Sequence, residues 1–335
     1  MSAPPARRKK RLGVIGSFVW DVIYGRDVRS APIEEWGGIT YALGALDAAL
    51  PEDWEIVPVM KVGYDLAGRA NEFLRTLRRL APDAALVEVP YPNNKVELFY
   101  YSSERRSEIL HGGVPGWTWL GLRPLVGELD ALYVNLISGF ELDLETAQLL
   151  RQHYKGVMYC DLHSLVLAVQ PGGLRTPRPL PDVASWCRCF DLIQVNEDEL
   201  AMMAPDPMAL AATALANGVR TLAVTLGKRG AVYFAQPDFD RLTDLRGGAG
   251  VASGALAGAL GPVRTALVPA AEVRALDQDP TGCGDVWGAT YFSRLLAGDT
   301  LSDAFAAAHR AAARNLEHRG ATGLAAYLRG ELSHP

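Results

Sequence analysis

The chain has 335 residues, 49% of them hydrophobic and 21% charged, with a formal net charge of −5. That length carries one large α/β domain or two ordinary ones, and the composition is that of a globular chain, not a disordered or fibrous one. The acidic balance argues against a broad nucleic-acid-binding face, and no apolar run approaches the ~20 residues of a membrane span.

Residues 1–11 read MSAPPARRKKR, a short basic tail predicted to be disordered. The apolar stretch behind it is interrupted by Asp21 and lacks a small-residue cleavage site, so it does not make a signal peptide, and a cytoplasmic location is expected. A single domain over 12–330 follows. Its first strand is read at Leu12–Ser17, an apolar run suited to a strand buried on both faces of a parallel sheet. Similar runs recur at Ile56–Met60, Ala131–Ile137, Gly156–Cys160, Leu192–Val195 and Thr221–Thr225. Helical periodicity fills the intervals at Gly38–Leu50, Leu66–Leu80, Leu144–His153, Glu197–Met203 and Pro207–Asn217, and Gly218 stops the last of these. This alternation predicts an α/β fold: a doubly wound, mostly parallel sheet flanked by helices.

Two segments break the rhythm. Val22–Trp36 and Lys95–Trp119 alternate polar and apolar residues, which predicts half-exposed antiparallel strands forming a small flap over one end of the sheet. Phe99, Tyr100 and Tyr101 in that flap would either stack on a base or pack the flap itself. A Gly/Ala-rich stretch over 246–262 reads as a flexible loop. The four cysteines, Cys160, Cys187, Cys189 and Cys283, are too irregularly spaced for a disulfide framework. Cys187-Arg188-Cys189 has no second ligand cluster, so two small buried side chains are expected there rather than a metal site.

The chemistry points to Asp279-Pro280-Thr281-Gly282-Cys283-Gly284-Asp285, which opens an apolar helix. A glycine-rich turn at a helix start aims free backbone N–H groups at one point, and the helix dipole adds positive potential. A transferring phosphoryl group suits such a site. Asp285 beside it would take the proton of an attacking hydroxyl, or would simply cap the helix. Neither GxxxxGK[ST] nor, after the first strand, GxGxxG occurs, so phosphate binding uses neither the P-loop nor the dinucleotide fingerprint.

The segment resembles the DTGAGD-like turn of the ribokinase, or PfkB-type, carbohydrate kinases, with Pro280 and Cys283 where the commoner pattern has Thr and Ala. Other segments resemble that family in its own order: Gly37-Gly38, Val62-Gly63-Tyr64-Asp65-Leu66-Ala67-Gly68, Asn196-Glu197-Asp198-Glu199, Thr225-Leu226-Gly227-Lys228-Arg229-Gly230, and the Ala-rich Asp303–Leu316 with Arg319-Gly320-Ala321. The resemblance spans about 12–325. It implies a ribokinase-like fold and ATP-dependent transfer to a hydroxymethyl group of a sugar, polyol or nucleoside. Asp285 would be the base, and the amides of Gly282, Cys283 and Gly284 the anion hole. It further implies that Asn196 and Glu199 help hold Mg²⁺ through water, unless they merely cap their helix. Thr225, Gly227 and Gly230 would lie beside the nucleotide, and His309 would stand on the helix lining the adenine pocket. Neither His163 nor His309 is read as a ligand-binding histidine from its own surroundings. Asp21, Gly37, Gly38 and Tyr41 would face the acceptor, although Ile39-Thr40-Tyr41-Ala42 has no Asn where the family often carries one. Pairing of two copies through the flap would make a homodimer, with small molecules, not nucleic acids or membranes, as the other partners. The alternative is a protein that keeps the kinase fold but binds or regulates.

Overall fold

The computed structural model describes residues 8–24, 31–100, 106–245, 262–273 and 279–332. In chain order the elements are β1 (Lys10–Ile15), β2 (Phe18–Tyr24), β3 (Ile33–Gly38), α1 (Ile39–Ala49), β4 (Trp54–Val59), β5 (Lys61–Gly63), α2 (Ala67–Arg75), β6 (Val87–Val89), β7 (Lys95–Tyr100), β8 (Arg106–His111), α3 (Trp119–Val126), β9 (Ala131–Asn135) and α4 (Leu144–His153). There follow β10 (Val157–Asp161), β11 (Leu167–Val169), β12 (Arg175–Pro177), α5 (Val183–Cys187), β13 (Leu192–Asn196), α6 (Glu197–Ala201), α7 (Pro207–Ala216), β14 (Thr221–Thr225), β15 (Ala231–Ala235), β16 (Arg264–Val268), α8 (Cys283–Leu296), α9 (Leu301–Asn315) and α10 (Leu324–Leu328).

The central sheet has eight strands in the order β16-β15-β14-β13-β10-β9-β1-β4. Its six strands from β14 to β4 run parallel, and β15 and β16 extend it antiparallel. The parallel strands are apolar because both faces are covered. One face packs on α1, α8 and α9, through residues such as Leu43, Tyr133, Phe292 and Phe305. The other packs on α3, α4, α5 and α7, through Leu132, Leu150, Cys187 and Leu210. Local signals place the helix ends. Asp206 accepts from the Ala209 amide at 2.9 Å, Pro207 occupies the first turn, and Gly218 follows at a φ of 96°. Cys187 and Cys189 are buried core thiols, and burial pushes each up to about 12.

A second, four-stranded sheet, β3-β2-β7-β8, forms the flap. Several boundaries differ from the sequence reading. The first strand begins at Lys10, inside the basic tail: the Arg11 amide donates to Asp130 Oδ2 at 2.7 Å, and its guanidinium pairs with Asp83 at 2.7 Å. The flap begins at Phe18 rather than Val22, so Asp21 lies in a flap strand. It ends at His111, and Trp119 opens α3 instead. The flap is not wholly antiparallel either, since β2 and β7 pair parallel. The helix read at Leu66–Leu80 stops at Arg75. Leu77 and Leu80 still pack on the core from the turn beyond, which kept the apolar pattern running past the helix end. The Gly/Ala-rich stretch over 246–262 lies, except for residue 262, outside the described residues. No helix among the described residues is long and apolar enough to cross a membrane.

Candidate active site

The C-terminal ends of the parallel strands deliver polar residues to one edge, the place where open α/β sheets bind ligands. Asn135 ends β9 and pairs in register with Asp161, which ends β10; Asp161 in turn stands opposite Gln194 of β13. Asn196 and Thr225 end β13 and β14 side by side. Above this edge lies a cavity of about 400 Å³, roofed by Val19, Asp21, Val96 and Leu98 of the flap and walled by Thr281, Gly282, Gly284 and Asp285 at the start of α8. That volume suits a small organic ligand. Val96 and Leu98 of β7 are buried in the cavity roof. Phe99 stacks on Tyr24, with ring centroids 4.6 Å apart, and so packs the flap. Tyr101 lies outside the described residues.

The turn before α8 has the shape its glycines predict. Gly282 has a φ of 73°, and a Cβ there would lie 2.2 Å from the ring of Tyr41, so both conformation and close approach require glycine. Among the described residues, the amides of Gly282 and Gly284 meet no protein acceptor. The Cys283 amide differs from the sequence reading: it donates to Pro280 O at 3.2 Å, closing the turn. The Cys283 thiol points away from the cavity, 3.6 Å from Ala312 O, and Asn315 Nδ2 donates to it at 3.3 Å. Of the three amides the sequence reading assigns to an anion hole, two are therefore open and one closes the turn.

Asp285 is buried on the cavity wall, with Oδ1 accepting from Asn135 Nδ2 at 2.6 Å. Burial raises its pKa, partly offset by nearby His163 and by the Asn135 hydrogen bond. Beneath it, Gln194 donates to Asp161 Oδ2 at 3.1 Å and to Gly284 O at 3.2 Å, and Tyr159 donates to Gln194 Oε1 at 2.6 Å. This buried network fixes the Asp285 carboxylate and the glycine turn relative to the sheet. None of Asn135, Asp161 and Gln194 was singled out as a site residue from the sequence. The one signal they carry is a polar side chain at the end of an otherwise apolar strand.

At the flap end, the carboxylate of Asp21 sits where a Cβ on Gly37 would fall 1.8 Å from its Oδ2, so Gly37 is small to leave room for it. Asp21, Gly38 and Tyr41 line the cavity. Tyr41 is buried, and its hydroxyl has no partner among the described residues. Glu108 and Arg175 also line this end, unforeseen from sequence. The β11–β12 hairpin carries Arg175, which donates to Ile137 O and Ser138 O at 3.1 Å and pairs with Glu108 at 3.4 Å.

The family-like residues on the opposite side divide. Asn196, Glu199 and Thr225 line the cavity, whereas Gly227 and Gly230 do not. Gly230 lies against Val268 and Pro269 instead. His309 is a core histidine: it is buried, Trp287 Nε1 donates to its Nδ1 at 3.2 Å, and it does not line the cavity. Residues Val62–Gly68 also stand outside it, where Gly63 N donates to Asn93 Oδ1 at 3.0 Å and Asp65 Oδ1 accepts from Asn93 N at 2.7 Å, anchoring the entry to β7. His163 was passed over as a ligand-binding residue, yet it lines the cavity. Burial pulls its pKa down, but the hydrogen bond with Glu199 and the charges of Asp285 and Asp161 hold the imidazole up at about 9.

Asn196 and Glu199 close on each other as a capping box. Glu199 N donates to Asn196 Oδ1 at 2.8 Å, and Asn196 N donates to Glu199 Oε2 at 2.8 Å. The helix-capping reading of this pair is therefore realised. Among the described residues, no group of three or more His, Cys, Asp or Glu residues is arranged to hold an ion. The donors here are nonetheless hard oxygens, from Asp198 and Glu199 on α6 with Asp161 and Asp285 nearby. They fit Mg²⁺ held through water and a ligand's own phosphates.

A family model described as pfkB family carbohydrate kinase matches residues 150–326. No curated protein sequence matches the chain. Among solved structures, a nucleoside kinase of Burkholderia thailandensis in complex with inosine is similar at a TM-score of 0.68 and 16% identity, over 96% of this chain and 97% of that one. Ribokinase of Thermotoga maritima gives 0.65 and 14%, over 96% and 98%. Ribokinase of Cryptococcus neoformans in complex with ADP gives 0.62 and 16%, over 97% and 100%. These likenesses carry the fold, and the match over 150–326, which holds the strand-end carboxylates and the glycine turn, carries the family: the chain belongs to the pfkB carbohydrate kinases.

Proposed function

We propose that the protein is an ATP-dependent kinase that phosphorylates a hydroxymethyl group of a sugar, polyol or nucleoside. The observation that carries this reading is the convergence, on one cavity, of a buried carboxylate with two acceptor-free amides at the start of α8. Asp285 takes the proton of the acceptor hydroxyl. The acceptor oxygen forms its bond to the γ-phosphorus as the bond to the bridging oxygen breaks, and ADP leaves with that electron pair. The Gly282 and Gly284 amides stabilise charge on the phosphoryl oxygens, and positioning supplies most of the rest. Mg²⁺, when bound, neutralises phosphate charge. Asn196 and Glu199 would hold it through water, with Asp198 beside them. At the other end the Asp21 carboxylate accepts from two adjacent hydroxyls, which suits a vicinal diol. The flap roof excludes water and so limits ATP hydrolysis.

ADP release should be followed with ATP, Mg²⁺ and a panel of sugars, polyols and nucleosides that includes ribose and inosine. At least one acceptor should raise the rate 100-fold or more above ATP alone. Tight acceptor binding with no ADP release from any member of the panel would instead establish a binding protein on a kinase fold.

The base must be ionised to act, so kcat/KM should fall on acidification as Asp285 takes up a proton, and the midpoint should lie above the ordinary carboxylate range. Asn135→Leu removes the donor that favours the charged form. A hydrogen bond to a charged group is worth roughly 1.5–3 kcal/mol. The acid limb should therefore move up by roughly one to two pH units. A pH–rate profile that does not move in this variant would separate Asn135 from the base.

A further inference from the structure

The register of the flap sheet measures the acceptor end of the cavity. On its cavity face Val96 stands directly across from Asp21, and Glu108 directly across from Leu98. Val96 and Leu98 are two residues apart on β7 and so share that face. Strands lie about 4.8 Å apart and rise about 3.3 Å per residue, which sets Asp21 and Glu108 about 12 Å from each other across the roof. The surface that joins them, Val96 and Leu98, is buried and apolar. The β11–β12 hairpin closes the same end from outside the flap: Leu167 and Pro177, paired in register, line the cavity with Arg175.

This end therefore offers two carboxylates with an apolar strip between them. A sugar or polyol long enough to reach from one to the other would lay hydroxyl groups on Val96 and Leu98, and burying hydroxyls against apolar side chains without partners costs free energy. A flat heteroaromatic ring has the opposite layout, with apolar faces and a polar edge, and it suits a slot with apolar walls and a few polar groups at its end. Glu108 is that polar end. Arg175 pairs with it at 3.4 Å and is itself anchored on Ile137 O and Ser138 O at 3.1 Å. A carboxylate carries about four lone-pair sites, so the ion pair leaves it able to accept further hydrogen bonds. The Glu108 side chain is 18% exposed, enough for a ligand in the cavity to touch it. Carboxylates accept from the N–H donors on base edges.

We infer that the acceptor is a nucleoside and that Glu108 is the residue that selects it. Asp21 accepts from the vicinal diol of the ribose, the base lies along Val96 and Leu98, and Glu108 accepts from an N–H on the far edge of the base. The inference rests on the kinase reading above and narrows its acceptor. The phosphoryl group goes to the hydroxymethyl oxygen, whose proton goes to Asp285, and ADP departs with the electron pair of the broken P–O bond.

The test uses the full chain with ATP, Mg²⁺ and four nucleosides (adenosine, inosine, cytidine and uridine) set against hexoses, polyols and methyl riboside. Methyl riboside keeps the diol and the hydroxymethyl group and lacks the base. At least one nucleoside should exceed it, and every hexose and polyol, 100-fold or more in kcat/KM. Leu98→Ser makes the strip polar, and Glu108→Gln weakens the acceptor at its end. Each should cut the kcat/KM ratio of the preferred nucleoside to methyl riboside at least tenfold, a change in preference that a merely structural role would not produce. Glu108→Gln keeps the size of a partly exposed side chain, so it decides the matter alone if Leu98→Ser fails to fold. A hexose or polyol as the best acceptor overturns the inference and leaves the kinase reading standing. A ratio within threefold of wild type in Glu108→Gln removes Glu108 as the selecting residue. A wild type that releases no ADP with any acceptor sinks the kinase reading, and calorimetry then tests the slot separately. Binding of a nucleoside at least tenfold tighter than methyl riboside supports it, and equal or absent binding overturns it.

Discussion

Asp285→Asn should lower kcat by roughly 10²–10⁴-fold, the usual contribution of a positioned general base, while ADP affinity stays within a few-fold of wild type. The amide is nearly isosteric, and its oxygen still accepts from Asn135 Nδ2 in place of Oδ1. Geometry is therefore kept and proton acceptance alone is lost. The same substitution should stabilise the fold. Burial raises the pKa of Asp285, so the native state holds a proton that the unfolded chain has released over the window between the ordinary carboxylate value and the raised one. Stability contributed by this group therefore declines as pH rises through that window. Above it the ionised carboxylate is a net burden on the native state. Near neutral pH the Asn variant should melt higher than wild type, and the gap should close on acidification below the ordinary carboxylate range. Melting curves across pH, set beside ADP-release rates, check both halves. Turnover within tenfold of wild type would remove Asp285 as the base, and an unchanged melting temperature would mean that its burial carries no cost.

Much of this arrangement was legible along the chain, and what was not has physical reasons. The apolar strand runs predict the parallel sheet because only a strand covered on both faces needs such runs. The glycine turn and Asp285 are consecutive, so one local segment carries both the open amides and the buried carboxylate. Asn135 and Asp161 are different. Each is one polar residue at a strand end, and only the parallel register of β9 with β10 puts them beside each other and beside α8. His163 was set aside because a lone histidine is most often a surface or core residue. Its place on the cavity wall comes with a backbone φ of 37° just after β10, which no spacing rule predicts. His309 misled in the opposite sense: its helix matches the family, but its ring faces Trp287 in the core. Asp21 was assigned to the acceptor end and lines the cavity, but it does so from within a flap strand, because β2 pairs with β3 from Phe18 onward. Cys283 shows the limit of counting amides in a motif, since one of the three closes the turn that presents the other two.

The two glycines of that turn are alike in sequence and unlike in space, which sets the second large expectation. At Gly282 a Cβ meets the Tyr41 ring at 2.2 Å on a backbone of φ 73°. At Gly284 it meets nothing within 4 Å, because that side is the cavity. Gly282→Ala must displace either the buried Tyr41 ring or the turn, and both move the open amides away from the phosphoryl group. Loss of one such donor costs about 10²–10³-fold in kcat, and the overpacking adds a destabilisation of about 1–3 kcal/mol. Gly284→Ala should leave the melting temperature unchanged and act on the nucleotide KM, since its methyl group enters ligand space. The collision itself can be isolated. In a Tyr41→Leu background the Gly282→Ala step should cost less stability than in the wild type, because the ring that the methyl group would strike is gone. Contacting residues couple in this way by 0.5–3 kcal/mol in other proteins, roughly the range expected here. Denaturant melts of the four proteins in the cycle give the coupling directly. Strict additivity would mean that Gly282 is required by its backbone angle alone, and Tyr41 would then be a wall of the cavity with no part in shaping the anion site.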